Sequence, residues 1–206
     1  VVADQAWAIL SREEVRIMVD KLREKAPAVL RELLPDRLDL GTLHQVLQRL
    51  LRERVPIRDL PTICEGLHDA SIATGDPAQL TEFVRKRLAR RISEDLADPE
   101  RRIWGVTLDP ETERHVHDEL TLLADDQAQP AREAMRRRAA LESLLLDQLA
   151  RLRAVPVPVP VLLVSPALRP ALGAFLGRYQ ARLRVLASDE LYPGYDFVDL
   201  SLADLG

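Results

Sequence analysis

The chain has 206 residues, which suits one large domain or two domains of about 100 residues each. Its 29 Lys and Arg against 33 Asp and Glu give a net charge of −4, so it lacks the basic surface that nucleic-acid phosphates require. A single cysteine excludes an internal disulfide framework and any multi-cysteine zinc or iron–sulfur site, and fits a reducing compartment. The mixture of 30% charged and 47% hydrophobic residues is typical of a globular chain.

The sequence contains no recognisable targeting or membrane-spanning segment. It begins Val1–Val2 without a methionine, and no basic region precedes an apolar stretch, so we expect no signal peptide. The most apolar run, Ala154–Leu168, is interrupted by four prolines and is shorter than the roughly 20 residues that cross a bilayer. We therefore expect a soluble piece of a longer protein.

Helical periodicity dominates the first half of the chain. Apolar residues in the segment 43–51 recur at i, i+3, i+4 and i+7, the stripe of a half-buried helix. Ser11 with Glu14 three residues later is a capping-box pattern, and Thr42 after Gly41 is predicted to begin the next helix. Two further helices are predicted to start at Asp59 and Asp76, each with a proline, Pro61 or Pro77, in its first turn. The sequence thus predicts that the first half, from Ala6 to Ile92, is all-helical and built from four or five short helices.

A different periodicity begins near residue 103. Residues 93–102 (SEDLADPERR) hold four acidic residues and little to bury, and we interpret them as a linker. After them the sequence predicts a strand at Ile103–Leu108, two helices, a strand at Val157–Val164, a helix from Ser165–Pro166 to about Tyr179, a strand at Leu183–Ala187 and a fourth strand at Asp196–Leu202. This order is typical of a small three- to four-stranded α/β subdomain with crossover helices, over residues 103–206.

No residue pattern indicates a catalytic, cofactor or metal site. His115 and His117 are two residues apart, so on a helix they point to different faces, and His44 and His68 each stand alone. We interpret all four as ordinary surface or half-buried histidines. Cys64 lies on an apolar helix face and is predicted to be a buried, inert thiol.

The sequence also lacks the common phosphate-binding loops and hydrolase motifs. Ser165 follows a predicted strand at the start of a predicted helix, where an anion can bind, but helix capping is the favoured interpretation, because it explains the serine and Pro166 removes one N–H donor. The arginine-rich runs Arg85–Arg91 and Arg132–Arg138 are interpreted as solvated helix faces, because aromatic residues are scarce. The residues alone therefore predict a helical plus α/β protein with no visible catalytic set.

A long motif in the first half carries a family resemblance. The segment 43–67, LHQVLQRLLRERVPIRDLPTICEGL, resembles the pattern VLq-LL-E-V-IRDl-tIlE-L of the type III secretion export-gate (FHIPEP) family, whose flagellar member is FlhA and whose injectisome member is SctV. The motif is specific because it is long and mixes polar with apolar positions. The match continues at 10–15, Pro27 and 76–92, and looser matches at 108–113, 160–170 and 185–191 extend the resemblance over nearly the whole chain.

The resemblance implies a place and a role. Residues 1–10 are expected to be the tail of a preceding subdomain, 11–98 the third, helical cytoplasmic subdomain of the family, and 103–206 the fourth, α/β subdomain. The family implies a nonameric ring at the cytoplasmic face of the bacterial inner membrane, attached through an N-terminal membrane domain that is missing here. The ring is expected to bind secretion chaperone–substrate complexes and other export-apparatus proteins, with no enzymatic activity, no cofactor and no nucleic acid.

One predicted corner between helices is the candidate subunit or partner interface. Val55–Pro56 prevents a continuous helix, because the residue before a proline avoids the helical region. Mixed charges at such a corner suit a ring interface, in which they fix the register. The alternative is a local salt-bridged corner of little energetic weight. The candidate interface residues are Arg52, Glu53, Arg54, Ile57, Arg58 and Asp59.

Two further expectations follow. Without the membrane domain, nothing raises the local concentration of subunits, so we expect the isolated chain to be largely monomeric in dilute solution. If the resemblance misleads, the alternative function is a small α/β enzyme or regulator that binds an anionic ligand near Ser165.

Overall fold

The structure, a computed structural model, describes residues 6–25, 27–34, 37–124, 130–154, 159–176 and 183–201. The chain divides into two compact units, Val1–Ile92 and Ser93–Gly206. The first unit is helical and the second contains a four-stranded parallel sheet with helices, which confirms the predicted fold class. Within the described part of the chain, no helix combines the length and the apolar composition needed to span a membrane.

The first unit is a set of helices joined by short turns. These are α1 (Ala6–Ile9), α2 (Arg12–Lys25), α3 (Pro27–Leu33), α4 (Leu40–Arg52), α5 (Leu60–Ala70), α6 (Pro77–Arg87) and the first half of α7 (Ala89–Leu96). The prediction of four or five helices was too low. It missed α1 and α7 as separate elements because each has eight residues or fewer, too short for a clear periodic pattern.

Side-chain caps fix where these helices begin. The predicted capping box of α2 is present, since Ser11 N donates to Glu14 Oε2 at 2.6 Å and Glu14 N donates to Ser11 Oγ at 3.2 Å. The predicted start of α4 at Thr42 was wrong. Asp39 is its N-cap and accepts from Thr42 N at 2.7 Å, so the helix begins at Leu40.

The predicted apolar stripe of α4 forms the centre of the first core. Its inward residues are fully buried, as are residues of α2 and α5: Leu43, Val46, Leu47, Leu50, Val15, Ile63 and Leu67. Cys64 is buried among them, as predicted. Burial, with a smaller contribution from the Glu65 charge, raises the pKa of Cys64 to about 12, so the thiol is inert at neutral pH.

The segment interpreted as a linker is ordered and packed, so that interpretation was wrong. Ser93 lies in α7 and is fully buried, with its Oγ accepting from Tyr192 N at 3.0 Å. Asp98 accepts hydrogen bonds from Trp104 Nε1 at 2.8 Å, from Arg102 Nε and N at 2.9 Å each, and from Glu100 N at 3.0 Å. Burial alone would raise the pKa of Asp98. The hydrogen bonds from Trp104 and Arg102 together lower it by a larger amount, so its pKa lies below the usual value. The segment is polar because its charged side chains are hydrogen-bonded to neighbouring residues, as at Asp98, and not because it is a flexible connector.

The second unit is organised around one parallel sheet. Its strands are β1 (Arg102–Thr107), β2 (Val161–Val164), β3 (Arg184–Ala187) and β4 (Asp196–Asp199), in the order β3-β2-β1-β4. Every neighbouring pair is parallel. All four predicted strands therefore share one sheet. Residues 157–158 and 202, which the prediction included in strands, lie outside the described residues.

Helices α8 (Pro110–Ala124) and α9 (Ala131–Ala154) connect β1 to β2, and α10 (Arg169–Leu176) connects β2 to β3. The core between sheet and helices contains Val106, Val116, Leu120, Leu141, Leu145, Leu162 and Leu172. The helix expected directly at Pro166 begins three residues later. Residues 166–168 form a turn in which Ser165 Oγ accepts from Leu168 N at 3.3 Å. The predicted end near Tyr179 lies outside the described residues.

Candidate functional site

The candidate corner begins where α4 ends in a Schellman motif. Val55 N donates to Leu50 O at 2.8 Å, and Arg54 N donates to Leu51 O at 2.9 Å. Val55 and Leu50 are both buried, which supplies the apolar contact that accompanies this motif. Pro56 then keeps the chain extended until α5 begins. The corner is therefore a closed helix ending with a fixed direction rather than a loose loop.

Arg54 occupies the position of this motif that glycine usually fills. Its φ is +58°, in the left-handed region where a side chain costs conformational energy. The other non-glycine residue with positive φ among those described is Arg101, with φ of +62°. No local sequence signal predicts this conformation, because arginine has no preference for it.

Both carboxylates of the corner are engaged inside the first unit. Glu53 Oε2 accepts from Arg85 Nη1 at 2.8 Å, and the Arg85 side chain is only 3% exposed. Asp59 is the N-cap of α5, accepting from Thr62 N at 3.3 Å and from Thr62 Oγ1 at 2.9 Å. These two residues shape the corner and hold its two helix ends.

The arginines of the corner are placed differently. Arg52 is exposed, and its guanidinium carbon lies 4.2 Å from the centre of the Trp7 ring, a cation–π contact. Arg58 is exposed, and within the described part of the chain no hydrogen bond or ion pair is found for it. Ile57 between them is half-buried. All six predicted interface residues thus lie at one corner, and their role as an interface remains a prediction.

Arg52 is the last of a polar row on α4 that holds the N-terminal segment. His44, Gln48 and Arg52 are four residues apart, so they lie on one helix face. His44 Nε2 lies 2.7 Å from Leu10 O and donates to it, because a carbonyl oxygen only accepts. Gln48 Nε2 donates to Trp7 O at 3.2 Å. His44, interpreted above as an isolated histidine, fixes the entry into α2.

Sequence reasoning missed Arg85, the buried partner of Glu53. The run Arg85–Arg91 was interpreted as a solvated helix face, which is wrong at this one position, since Arg85 is 2% exposed. A usable signal was present. Arg85 lies four residues after the buried Thr81 and three before the buried Leu88, so helical spacing places it on the inner face.

The region around Ser165 does not favour an anion site. A shallow cavity of about 430 Å³ opens there, and its lining includes Arg114 and His117 as well as Glu113 and Ser165. Ser165 N donates to Glu113 Oε1 at 3.0 Å, so a carboxylate of the chain already occupies the amide that an anion would need. Pro166 has no N–H to offer. The cavity offers basic side chains, but the Ser165 amide is already used and Glu113 adds a negative charge, so the geometry favours a structural role for Ser165 over the alternative function.

The remaining histidines are not brought together. His115 and His117 lie exposed on α8, and His68 lies beside Asp69, with His68 Nδ1 3.5 Å from Asp69 Oδ1. Among the described residues, no group of three or more His, Cys, Asp or Glu side chains is placed to hold a metal ion.

Sequence comparison places these features in one family. The FHIPEP family model matches residues 1–196. Among curated proteins, the chain is 34% identical over 196 residues to the flagellar biosynthesis protein FlhA of Proteus mirabilis, covering 92% of the chain and 26% of that protein. It is 35% identical over 191 residues to FlhA of Salmonella typhimurium, covering 89% of the chain and 25% of that protein. The chain thus spans about a quarter of the length of the curated relatives it matches.

Solved structures share the fold. The Shigella flexneri MxiA protein superposes with a TM-score of 0.78 at 24% identity, covering 96% of the chain and 61% of MxiA. The nonameric EPEC SctV-C, solved by cryo-EM, gives a TM-score of 0.76 at 22% identity over 97% of the chain and 59% of that protein. The Chlamydia pneumoniae CdsV protein in complex with CdsO gives 0.77 at 24% identity over 97% of the chain and 57% of CdsV. At these identities the likeness establishes the fold.

Proposed function

This chain belongs to the FHIPEP family, and we propose that it is the ring-forming and chaperone/cargo-docking portion of the inner-membrane export gate of a type III protein secretion system, flagellar or injectisome. Residues 11–98 form the third cytoplasmic subdomain in this proposal, and residues 103–206 form the fourth. The parent protein is held at the cytoplasmic face of the bacterial inner membrane by a preceding membrane domain. The family match over residues 1–196 is the observation that carries this proposal.

A ring is supported by the assembly of one structural neighbour. The SctV-C neighbour is nonameric and has the same fold as this chain, which supports a similar assembly. A cyclic ring needs a heterologous interface, in which two different patches of one subunit meet on neighbours. The corner Arg52–Asp59 supplies one such patch, because it is rigid and carries exposed guanidiniums.

The proposed role is binding rather than catalysis. The chain has one cysteine, Cys64, and its thiol is buried. Burial raises its pKa, so the thiol is not a nucleophile at neutral pH. The CdsV neighbour forms a complex with CdsO, which supports docking of other export-apparatus proteins on this fold. Secretion chaperones with their cargo are the partners we propose for the ring as a whole.

Surface tethering tests ring formation. The chain is attached through an N-terminal tag to lipid vesicles, which replaces the effective concentration that a membrane domain supplies. Electron microscopy of the vesicles is expected to show nine-membered rings, while the untethered chain stays largely monomeric in dilute solution. Only isolated subunits at every surface density would contradict the proposal.

A charge reversal tests the corner in the same assay. Arg58→Glu is expected to reduce ring formation without changing the melting temperature, because the side chain is exposed and unpaired within the described residues. Arg132→Glu, an equal charge change on the exposed start of α9, is the control and should leave the rings intact. If Arg58→Glu unfolds the chain instead, Arg58 belongs to an internal salt-bridged corner and the interface assignment is wrong. The same two variants in the parent protein should respectively reduce and preserve export.

A further inference from the structure

The shallow groove beside Ser165 opens at the carboxyl ends of two neighbouring strands of the second unit. Leu108, which lines it, directly follows β1, and Ser165 directly follows β2. The strand order also reverses at β1, since β2 and β3 lie on one side of it and β4 on the other. In open parallel α/β sheets, ligands bind in the crevice beyond the carboxyl ends of the strands where the order reverses. The volume of about 430 Å³ lies within the range of about 300–1,000 Å³ found for ligand pockets.

The floor of the groove is apolar. Leu108 and Leu168 line it and are only 7% and 1% exposed. Pro110 and Ala167 also line it but are exposed, so they form its sides. An apolar side chain placed between them would lose contact with water without leaving a polar group unsatisfied. Because the groove is shallow, a free small molecule would keep much of its surface in water, so the groove suits a side chain that a peptide backbone holds from outside.

Hydrogen bonds hold the two sides of the groove in place. Ser165 N donates to Glu113 Oε1 at 3.0 Å, which joins the turn after β2 to α8. Asp109 caps α8, accepting from Thr112 N at 3.0 Å and from Thr112 Oγ1 at 2.6 Å. These bonds, that from the Thr112 hydroxyl first, lower the pKa of Asp109, so the cap is charged at neutral pH. A groove that is already formed loses little conformational freedom when a ligand binds.

One face of α8 supplies a basic rim. Four residues at the spacing i, i+3, i+4 and i+7 lie on one side of the helix and line the groove: Pro110, Glu113, Arg114 and His117. Arg114 is exposed, and no hydrogen bond or ion pair is found for it within the described part of the chain. His117 is exposed too, with its Nδ1 3.8 Å from Asp118 Oδ1. The rim therefore offers a guanidinium that is available to a carboxylate.

The carboxylates near this rim have other places or partners. Glu111 and Asp118 are exposed on an adjacent side of α8 and are not part of the lining given by Leu108, Pro110 and their neighbours. Glu113 does line the groove, and although it accepts the hydrogen bond from Ser165 N, its charge still weakens the attraction of the rim for an anion. An acidic ligand is therefore attracted by Arg114 and opposed by Glu113, which predicts a weak and reversible contact.

We infer that the groove binds an extended segment of a partner protein in which an apolar side chain stands beside a carboxylate. The apolar side chain lies on Leu108 and Leu168, and the carboxylate accepts hydrogen bonds from Arg114. The Ser165 amide takes no part, because Glu113 already accepts its hydrogen bond. This inference rests on the proposed docking function and specifies one docking surface and the chemistry of its partner.

Peptide selection tests the chemistry of the partner. The full chain is immobilised, and a library of short random peptides displayed on phage is selected against it after depletion on the Arg114→Glu chain. The enriched peptides are expected to carry an aliphatic or aromatic residue next to Asp or Glu. No enrichment over a blank surface, or enrichment of peptides without an acidic residue, would overturn the inference.

Charge variants test the contact with the rim, with binding of an enriched peptide followed by fluorescence anisotropy. Arg114→Glu is expected to weaken binding by about tenfold, because it replaces an attraction with a repulsion. Glu113→Gln is expected to tighten binding by about two- to fivefold, because the amide oxygen still accepts from Ser165 N while the opposing charge is lost. A residue with a purely structural role would not produce tighter binding. Arg132→Glu, an equal charge change outside the groove, is the control and should leave binding unchanged.

A third variant tests the apolar part of the groove. Ala167→Trp is expected to weaken binding of the same peptide, because the indole occupies the space between the sides. The melting temperature should not change, since Ala167 is exposed. Binding that is unaffected by both Arg114→Glu and Ala167→Trp would place the peptide elsewhere and overturn the inference.

The outcomes separate this inference from the function on which it rests. If rings form on vesicles but no peptide is selected, the groove assignment is wrong and the ring-forming role stands. If peptides bind as expected but no ring forms, the groove is a docking surface and the ring proposal is overturned. If neither is observed, both are overturned.

Discussion

Replacing Arg54 by glycine should stabilise the chain, although it removes a large side chain from a half-buried position. Arg54 closes the Schellman motif of α4 with a φ of +58°. A non-glycine residue in this region costs roughly 1–2 kcal/mol, which a glycine does not incur. The glycine loses about 0.5–1 kcal/mol through the greater freedom of the unfolded chain. The net gain for Arg54→Gly is about 0.5–1 kcal/mol, or a rise in Tm of about 1–4 °C for a chain of this size.

Arg54→Ala is the matched control for this prediction. It also removes the guanidinium and its contacts, but it keeps a Cβ in the left-handed conformation. The difference between the two variants in thermal and urea unfolding therefore isolates the backbone contribution. An Arg54→Gly chain no more stable than the Arg54→Ala chain would refute the assignment of strain to this position.

The same variant separates stability from assembly. If the Arg54 side chain contributes to the proposed interface, Arg54→Gly should weaken ring formation on vesicles even though its Tm rises. Strain that persists at a surface residue is commonly associated with function. Full ring formation by the stabilised variant would show that Arg54 is dispensable for the interface.

Three further predictions concern the second unit and the first core. Gly105→Ala should destabilise the second unit by about 1–3 kcal/mol in urea unfolding, because the added Cβ would lie 2.3 Å from Val161 O across the sheet. Gly75→Ala is its control. No atom lies within 4 Å of the Cβ added there, so the free energy of unfolding should change by less than about 0.5 kcal/mol. The pKa of Asp98 is lower in the folded chain than in the unfolded chain, so the ionised carboxylate stabilises the fold above the unfolded pKa. This stabilisation is lost as the pH falls through the folded pKa. The difference in unfolding midpoint between wild type and Asp98→Asn should therefore shrink below about pH 4. Cys64 should react with Ellman's reagent only after denaturation, and a fast native reaction at pH 8 would contradict its burial.

Patterns that repeat over a whole helix or strand were predictable from the sequence. The stripe on α4 and the capping box of α2 are local and periodic, and both are present in the structure. The four strands were predicted because β-branched and aliphatic runs alternate with helical segments. The parallel pairing of β1 with β2 and of β2 with β3 follows from the crossover helices between them, whereas β4 follows β3 with only a short 3₁₀ helix, Ser188–Glu190, in between.

Features that depend on a partner distant in sequence could not be predicted. The pairing of Glu53 with Arg85 joins residues 32 apart, and nothing near Glu53 indicates that its charge points inward. The linker prediction was wrong for a related reason. In the sequence Asp98 resembles a solvated acid, whereas in the structure the indole of Trp104 and the guanidinium of Arg102 both donate hydrogen bonds to its carboxylate. Composition reports how many charges a segment has and not where their partners lie.

The way in which the corner is built bears on how a weak interface can still be specific. The cation–π contact with Trp7 restrains Arg52, and the salt bridge to Arg85 holds Glu53 in place. Side chains that are already ordered lose less conformational entropy on binding, so more of their interaction energy appears as affinity. Charges on a rigid corner also reject a neighbour in the wrong register, because a displaced contact brings like charges together or leaves a charge unpaired. Such an interface can be too weak to join free subunits and still select one arrangement once a membrane holds the subunits side by side.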